Sequence, residues 1–145
     1  MSFFLKRKTA EAQPSKEQLK AYEAQHILDS LKRSVAFIEF SPDGIIKDAN
    51  TNFLNTVGYS LDEIKEKHHS IFCDKSYTQS NDYHLFWQQL AAGKSISDRF
   101  LRFTKDGTAI WLEASYNAVK DDNGTVTSVV KMASDITRFV EKSNI

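Results

Sequence analysis

Three short turn motifs constrain the fold of this chain more than any other feature of its sequence. Pro42-Asp43-Gly44, Lys105-Asp106-Gly107 and Asn123-Gly124 each lie between runs rich in β-branched and aromatic residues. Asp, Asn and Gly in this order favour tight reversals, because glycine accepts a positive φ at low cost. The pattern predicts antiparallel hairpins: two strands, then a middle region, then three strands that complete a five-stranded sheet.

The runs that flank these turns are the predicted strands. They are 35–40, 45–48, 100–104, 109–119 and 126–133. Alternation along the fourth run divides its side chains between two faces. Leu112, Ala114 and Tyr116 form the more apolar face, which we expect to line the interior together with Phe100 and Arg102. Trp111 then lies on the outer face and is a candidate interface residue.

The middle region reads as short helices. Asn50 can cap a helix that ends at Gly58, and Ser60 forms a capping box with Glu63. Asp82 is predicted to open a longer helix that stops near Gly93. Because a half-buried sheet needs a second layer, these helices should cover one face of it, which gives an α+β domain.

Residues 1–34 differ from the rest of the chain. Seven basic and four acidic residues give this segment a charge of +3, and the chain is neutral overall, so the remainder carries −3. A capping box of Ser15 and Gln18 predicts a helix. Its narrow apolar stripe comprises Leu19, Tyr22, His26, Ile27 and Leu31. Such a stripe suits packing on a second copy of the chain or on its own domain.

The first residues resemble a targeting signal only in composition. Residues 2–5 are largely apolar and precede three basic residues at 6–8, which reverses the order found in a secretory signal. A loose chain end is one interpretation. The other is a small aromatic and basic foot that touches a partner or, peripherally, a membrane surface.

Composition limits the class of protein. A length of 145 residues, with 41% apolar and 26% charged, is typical of one globular domain. The equal counts of 19 basic and 19 acidic residues argue against nucleic-acid binding. Because Cys73 is the one cysteine, an internal disulfide is excluded and a reducing, cytoplasmic location is expected. The sequence contains no apolar run of the roughly 20 residues that a membrane span needs.

Several motifs together resemble a PAS sensor domain over 27–139. Gly44–Asn50 followed by Gly58-Tyr59-Ser60 is similar to its first half, and Lys105–Gly107 followed by Ile110-Trp111-Leu112 is similar to its second. Ala133–Thr137 resembles the Asp-Ile-Thr segment that leads into an output helix. The resemblance implies a PAS fold, with a five-stranded antiparallel sheet, short helices on one face and an N-terminal helix. The expected divisions are 1–34 (tail and amphipathic helix), 35–137 (PAS domain) and 138–145 (start of an output linker).

Phe86-Trp87 and Ala114–Asn117 are most similar to PAS domains of bacterial chemotaxis and aerotaxis receptors. That resemblance implies an input module of a chemotaxis or energy-taxis transducer, which senses redox or oxygen state through FAD. It also implies a downstream chemoreceptor signalling region, so the chain is expected to be part of a longer receptor. The cofactor-binding residues it suggests are Asn50, His69, Tyr83, Trp87 and Arg102.

Two positions depart from the aerotaxis type, which has tryptophan in place of Ile96 and asparagine in place of Arg102. An inward Arg102 would neutralise an anionic flavin or bind a carboxylate or phosphate. Tyr83 and Trp87 are four residues apart, so they share a helix face and suit stacking on a flat ring, although such pairs are also common in ordinary cores.

Other interpretations remain open. Haem would need an axial ligand, for which His84 is the nearest substitute, since the matching position is close to Ser80. A cofactor-free module would form a homodimer through the N-terminal helix and the outer sheet face around Trp111. Cys73 near His69 suggests a thiol sensor, although a buried structural cysteine is commoner.

The sequence lacks the usual marks of an enzyme. It contains no glycine-rich phosphate loop, no paired cysteines and no nucleophile elbow. His68 and His69 are adjacent and point apart on any regular element, which makes them poor joint metal ligands. We therefore expect neither catalysis nor a metal site.

Overall fold

The computed structural model describes residues 12–143. The expected aromatic and basic foot at 2–8 lies outside the described residues, as does the end of the expected output linker. The described elements, in chain order, are α1 (Lys16–Ser34), β1 (Ala36–Phe40), β2 (Ile46–Ala49), α2 (Thr51–Val57), α3 (Leu61–Ile64), a 3₁₀ helix (His69–Phe72), α4 (Lys75–Thr78), α5 (Asn81–Ala91), β3 (Ile96–Phe103), β4 (Ala109–Lys120), β5 (Val126–Asp135) and α6 (Thr137–Ser143).

The five strands form one antiparallel sheet in the order β2-β1-β5-β4-β3. The last strand in sequence is therefore the middle strand in space. Its residue Lys131 pairs with Ile38 of β1 on one side and with Tyr116 of β4 on the other. This confirms the predicted five-stranded sheet with short helices and an N-terminal helix.

The predicted turns join the strands as expected, and each has a glycine at positive φ. Gly44, at φ +90°, is required for a second reason: a Cβ atom there would lie 2.7 Å from Nε2 of His68 and 3.1 Å from the Trp87 ring. Glycine therefore allows the β1–β2 turn to approach the site described below. Strand β2 begins at Ile46, because Ile45 instead forms an isolated bridge with His68.

The helix starts follow the predicted capping residues with one exception. The side chain of Ser15 accepts from the backbone N–H of Gln18, and Asn50 caps α2 by accepting from Phe53 N–H. The prediction that Asp82 opens the long helix is wrong. Ser80 is the cap and accepts from the backbone of Tyr83 at 3.2 Å, while Asp82 lies in the first turn. An acidic residue there is favoured by the helix dipole rather than by capping, so the two signals look alike in sequence.

The buried core lies between one face of the sheet and helices α2 to α5, and it is rich in aromatic rings. The structure divides into two compact units at 31/32. In the first unit no residue of α1 is buried, and Leu19, Tyr22 and Ile27 are 48%, 58% and 63% exposed. Among the described helices, none combines the length and the apolar character required to cross a membrane.

Candidate ligand site

His69 lies at the centre of a polar cluster inside the core. It begins the 3₁₀ helix and is fully buried. Its Nδ1 is 2.8 Å from the hydroxyl oxygen of Tyr83 on α5, and its Nε2 is 2.9 Å from that of Tyr116 on β4. One imidazole thus connects the helical layer with the sheet through two hydrogen bonds.

The direction of these hydrogen bonds follows from Arg102. Its Nη2 donates to the Tyr116 hydroxyl at 3.2 Å, so that oxygen is already an acceptor. Tyr116 is then free to donate to Nε2 of His69, and the Nδ1–H of the neutral ring donates to Tyr83. Burial, together with the positive charges of Arg102 and Lys131, holds the pKa of His69 well below its usual 6.5. Burial also raises the pKa of Tyr116 to about 12, so both groups are neutral at pH 7.

Arg102 extends from β3 into the interior and is 2% exposed. Its Nη1 donates to the carbonyl oxygen of Leu101 at 2.8 Å, and its guanidinium carbon lies 4.8 Å from the ring centroid of Phe100. The Nε atom is buried without a hydrogen-bond partner among the described residues. Arg102 is therefore an interior cation that is only partly satisfied.

Tyr83 and Trp87 lie on the inner face of α5, as their spacing predicts, and both are buried. The Trp87 ring centroid is 5.3 Å from that of His69, and its Nε1 has no partner among the described residues. Both aromatic residues also line a largely apolar cleft of about 490 Å³ between α5 and the β1–β2 turn. His84 is exposed in the same cleft, with its Nε2 3.3 Å from the Gln88 amide.

A second interior cation, Lys131, was not among the sequence-predicted site residues. It is fully buried on β5, and its Nζ has no hydrogen-bond partner in the described part of the chain. The alternation of Val129, Lys131 and Ala133 places the lysine on the apolar face, and this was the signal that could have identified it. Tyr116 was expected to face the interior, but its hydroxyl bonds to His69 and Arg102 are not visible in the sequence.

Comparisons with known proteins identify the family of the fold. The profile of the PAS-fold family matches residues 46–133, which is most of the sheet and helical layer. The chain belongs to the PAS family. It is 49% identical over 115 residues to the biofilm dispersion protein BdlA of Pseudomonas aeruginosa, covering 79% of this chain and 28% of that relative. This chain therefore spans less than a third of BdlA.

Two solved structures of the same fold are less similar in sequence. A light-oxygen-voltage domain studied with a flavin analogue has a TM-score of 0.66 and 19% identity, covering 82% of this chain and 90% of that one. The PAS domain of a Colwellia psychrerythraea protein has a TM-score of 0.68 and 16% identity, covering 79% and 98% respectively. At these identities the likeness concerns the fold alone.

Asn50 of this PAS domain lies apart from the polar cluster and makes bonds of its own. Its Oδ1 accepts from the backbone N–H groups of Phe37 and Phe53, at 3.0 and 2.9 Å. Its Nδ2 donates to the carbonyl oxygens of Lys32 and Val35, at 2.7 and 2.8 Å. The amide thus joins the end of α1, the start of β1 and the start of α2. The structure brings together the other four predicted site residues, but not this one.

Cys73 lies at the edge of the cluster, with its Sγ 3.7 Å from Nδ1 of His69. Burial raises the pKa of its thiol, whereas a reactive cysteine needs a lowered one. The environment therefore favours a protonated, structural thiol. In the described part of the chain no group of three His, Cys, Asp or Glu side chains is placed to hold a metal ion.

Trp111 is half-buried on β4, in register with Leu101 of β3. Alternation places it on the face opposite Leu112, which is buried. Both Trp111 and Leu101 line a surface cavity of about 420 Å³ beside Arg102. The backbone of Trp111 forms two hydrogen bonds with the segment that follows the sheet. Ile136 N–H donates to the Trp111 carbonyl, and Trp111 N–H donates to Oγ1 of Thr137.

Proposed function

We propose that this PAS domain is the sensory input module of a chemotaxis or energy-taxis transducer, with FAD bound between α5 and the sheet. Redox or oxygen state would be sensed at the flavin and passed to an adjoining signalling region. The observation that carries the proposal is a buried cluster of hydrogen-bond donors, with no acidic partner among the described residues, beside an aromatic cleft. Polar donors grouped beside an apolar cleft are typical of cofactor sites.

The donor set fits a flavin chemically. Three buried donors have no partner among the described residues: Trp87 Nε1, Arg102 Nε and Lys131 Nζ. Buried donors in proteins are normally paired, so a group of unpaired ones is suited to a ligand rich in acceptors. A flavin ring offers nitrogen and oxygen acceptors along its edge. Tyr83 and Trp87 provide flat faces on which such a ring could stack.

Binding a flat ring here requires the packed side chains to separate. The rings of His69, Tyr83, Phe86 and Trp87 lie against one another, with centroid distances of 5.3 to 6.4 Å. Tyr83 and Trp87 both belong to α5 and both line the surface cleft, so a displacement of this one helix would open the interior to that cleft. When bound, FAD would supply reversible electron transfer, while this chain holds the ring and screens its charge.

The route of the signal is proposed from the same contacts. A ligand biases a conformational equilibrium only if it contacts the two states unequally. Lys131 lies on β5, and β5 leads directly into α6, where the expected output segment begins. Asn50, at the other end, joins the sheet to the last turn of α1. A change in charge at Lys131 would therefore act on β5, which leads into α6 and pairs with β1, the strand that follows α1.

The absorption spectrum of the purified protein tests the cofactor. We expect the visible bands of a flavin, or their appearance after reconstitution with FAD. Trp87→Phe keeps a ring that can stack but removes the unpaired Nε1–H donor, so it should weaken FAD binding about fivefold, since a hydrogen bond contributes about 1 kcal/mol. Trp111→Phe, outside the cluster, should not weaken it. A colourless protein that takes up no FAD would overturn the proposal, and a Soret band would replace it with the haem alternative.

We also propose that the module forms a homodimer through α1. The motivating observation is that Leu19, Tyr22 and Ile27 of this helix are largely exposed. Large apolar side chains repeated along one helix suit packing on a copy of the same helix. The outer sheet face around Trp111 is the second surface we propose for this contact.

A further inference from the structure

Lys131 is an unusual residue for the middle of a core. Its side chain is 0% exposed, and its Nζ lies 4.8 Å from the ring centroid of Tyr116 and 5.5 Å from that of Phe53. Those ring faces offer partial compensation for a positive charge. They do not replace the hydrogen bonds that an ammonium group makes in water, and a buried charge without a partner is costly.

Arg102 contacts the same residue, Tyr116, from the adjacent strand β3. Its Nη2 donates to the Tyr116 hydroxyl, while Lys131 lies over the ring of that residue. Two basic side chains thus lie against one phenol, that of Tyr116. The buried polar side chains of the described residues are His69, Arg102 and Lys131, and no described aspartate or glutamate is buried with them. The described ion pairs, Lys47–Glu66 and Lys105–Glu63, involve other residues.

We propose that the interior of this domain binds its ligand as an anion, with Lys131 and Arg102 as the two counter-cations. The class of ligand is a flat aromatic ring that carries a negative charge on one edge. The ring would lie among the aromatic side chains, and its charged edge would meet the unpaired Lys131 Nζ and Arg102 Nε. The inference uses the site of the proposed function, but it holds for any ligand of this class and does not require FAD.

The electrostatics of the surroundings agree with this assignment. The titratable groups around Lys131 are Arg102 on β3, Tyr116 on β4, and His69 and Cys73 from the 3₁₀ segment. Burial and the charge of Arg102 lower the pKa of Lys131 well below 10.5. An arriving anion would favour the ammonium form, so the site can adjust its charge to that of its ligand.

A matched pair of small ligands tests the proposal on the full chain. Benzoate and benzamide have nearly the same shape, and only benzoate is charged. We expect benzoate to bind saturably by calorimetry and to raise the melting temperature, and benzamide to bind at least tenfold more weakly. Lys131→Met and Arg102→Met should each reduce benzoate affinity at least tenfold. Lys94→Met, an exposed lysine after α5, should leave it unchanged.

The outcomes separate this inference from the flavin proposal. If benzoate binds with this dependence but FAD does not, the anion site stands and the flavin proposal fails. If FAD binds, Lys131→Met should weaken binding of the more negative, reduced flavin more than binding of the oxidised flavin. The reduction potential of the bound flavin should then fall by about 30 mV for each tenfold change in the ratio of these two affinities. Three results would overturn the inference. Benzoate and benzamide could bind equally well, neither could bind, or benzoate could bind with an affinity that neither Lys131→Met nor Arg102→Met changes.

Discussion

At the residue scale, the buried and unpaired Lys131 should lower the stability of the ligand-free fold. Because its pKa is lowered in the folded protein, the unfolded chain binds the proton more readily. The free energy of unfolding should therefore rise with pH between that lowered pKa and 10.5, by up to about 1.4 kcal/mol per pH unit. It should not change further above the unfolded value.

Lys131→Met should remove this dependence and stabilise the ligand-free fold at pH 7 by more than about 1 kcal/mol. Urea denaturation from pH 7 to 10 measures both effects, with Lys94→Met as the control. Burial raises the pKa of Cys73 and of Tyr116 in the folded protein, so these groups lower stability as the pH rises towards their ordinary values of about 8.5 and about 10. Lys131→Met retains both groups, so the difference between its profile and that of the parent protein isolates the lysine. A lower urea midpoint for Lys131→Met would show that the lysine makes a stabilising contact in the empty site.

His69 should give a profile of the same sign as Lys131, in a lower pH range. Its pKa is lowered in the folded state, mainly by burial, so folding opposes its protonation. Stability should be lost as pH falls below 6.5, by up to about 1.4 kcal/mol per pH unit. In urea denaturation between pH 7.5 and 5, His69→Gln should be less stable overall but flatter with pH. His84→Gln, at an exposed position, should follow the parent protein. An unchanged slope in His69→Gln would contradict the assigned neutral imidazole.

At the scale of elements, Asn50 joins three backbone segments with one side chain. Asn50→Ala removes the cap of α2 and leaves the N–H of Phe37 without its acceptor. We expect a loss of about 2 kcal/mol in stability. Asn50→Asp keeps the accepting oxygen but places a second oxygen against the carbonyls of Lys32 and Val35 in place of the donating Nδ2, so its loss should be confined to the end of α1.

Hydrogen exchange separates these two roles of Asn50. Asn50→Asp should accelerate amide exchange at residues 32–36 with little effect in α2, and Asn50→Ala should accelerate both. Asn55→Ala, at an exposed position in α2, is the control for helix propensity. If Asn50→Asp and Asn50→Ala gave the same exchange pattern, the donors of the amide would have no measurable part in fixing the end of α1.

Thr137 performs a similar role where the sheet ends. Its Oγ1 accepts from Trp111 N–H at 2.9 Å and donates to Asp135 Oδ1 at 2.6 Å, which fixes the Asp-Ile-Thr segment to β4. Thr137→Val should cost about 1 kcal/mol and accelerate amide exchange in α6. Thr127→Val, at an exposed position near the start of β5, serves as the control. Unchanged exchange in α6 would show that the helix start does not depend on this hydroxyl.

At the scale of the whole molecule, the proposed dimer gives a direct prediction. Light scattering should give a mass that rises with concentration towards twice the 16.5 kDa of one chain. The double substitution Leu19→Ser and Ile27→Ser should raise the dissociation constant of the dimer more than tenfold, because each change removes apolar contact area worth more than about 1 kcal/mol. Ala21→Ser, on the opposite face of α1, should not. A single-chain mass at all concentrations would exclude the dimer.

The fold was more accessible from sequence than the site. Turns and caps are local chemistry, so Gly44, Ser15 with Gln18, and Asn50 could be interpreted from a few neighbouring residues. The start of α5 was misplaced because Ser80 and Asp82 give similar local signals. Such signals carry no information about what lies opposite a side chain across the fold.

The site depends on contacts between distant parts of the chain. The bond from His69 to Tyr116 joins positions 47 residues apart, and no local pattern encodes it. Family resemblance suggested His69, Tyr83, Trp87 and Arg102, which do converge. It also suggested Asn50, which is engaged elsewhere, and it omitted Lys131. The one sign of that lysine in the sequence is a charged residue at a position where the alternation along the strand predicts an apolar one.

The position of Lys131 on the middle strand determines how a movement at this residue would reach α6. Four residues separate it from Asp135, which accepts from the backbone N–H of Thr137 at the start of α6. An extended strand covers that interval in about 13 Å, with no loop to absorb a displacement. Because four is an even number, both side chains point to the same side of the sheet. Lys131, the proposed counter-cation, and Asp135, which bonds to the start of α6, therefore lie on the same side of one continuous strand. A single residue inserted between them would place the two side chains on opposite sides of the sheet.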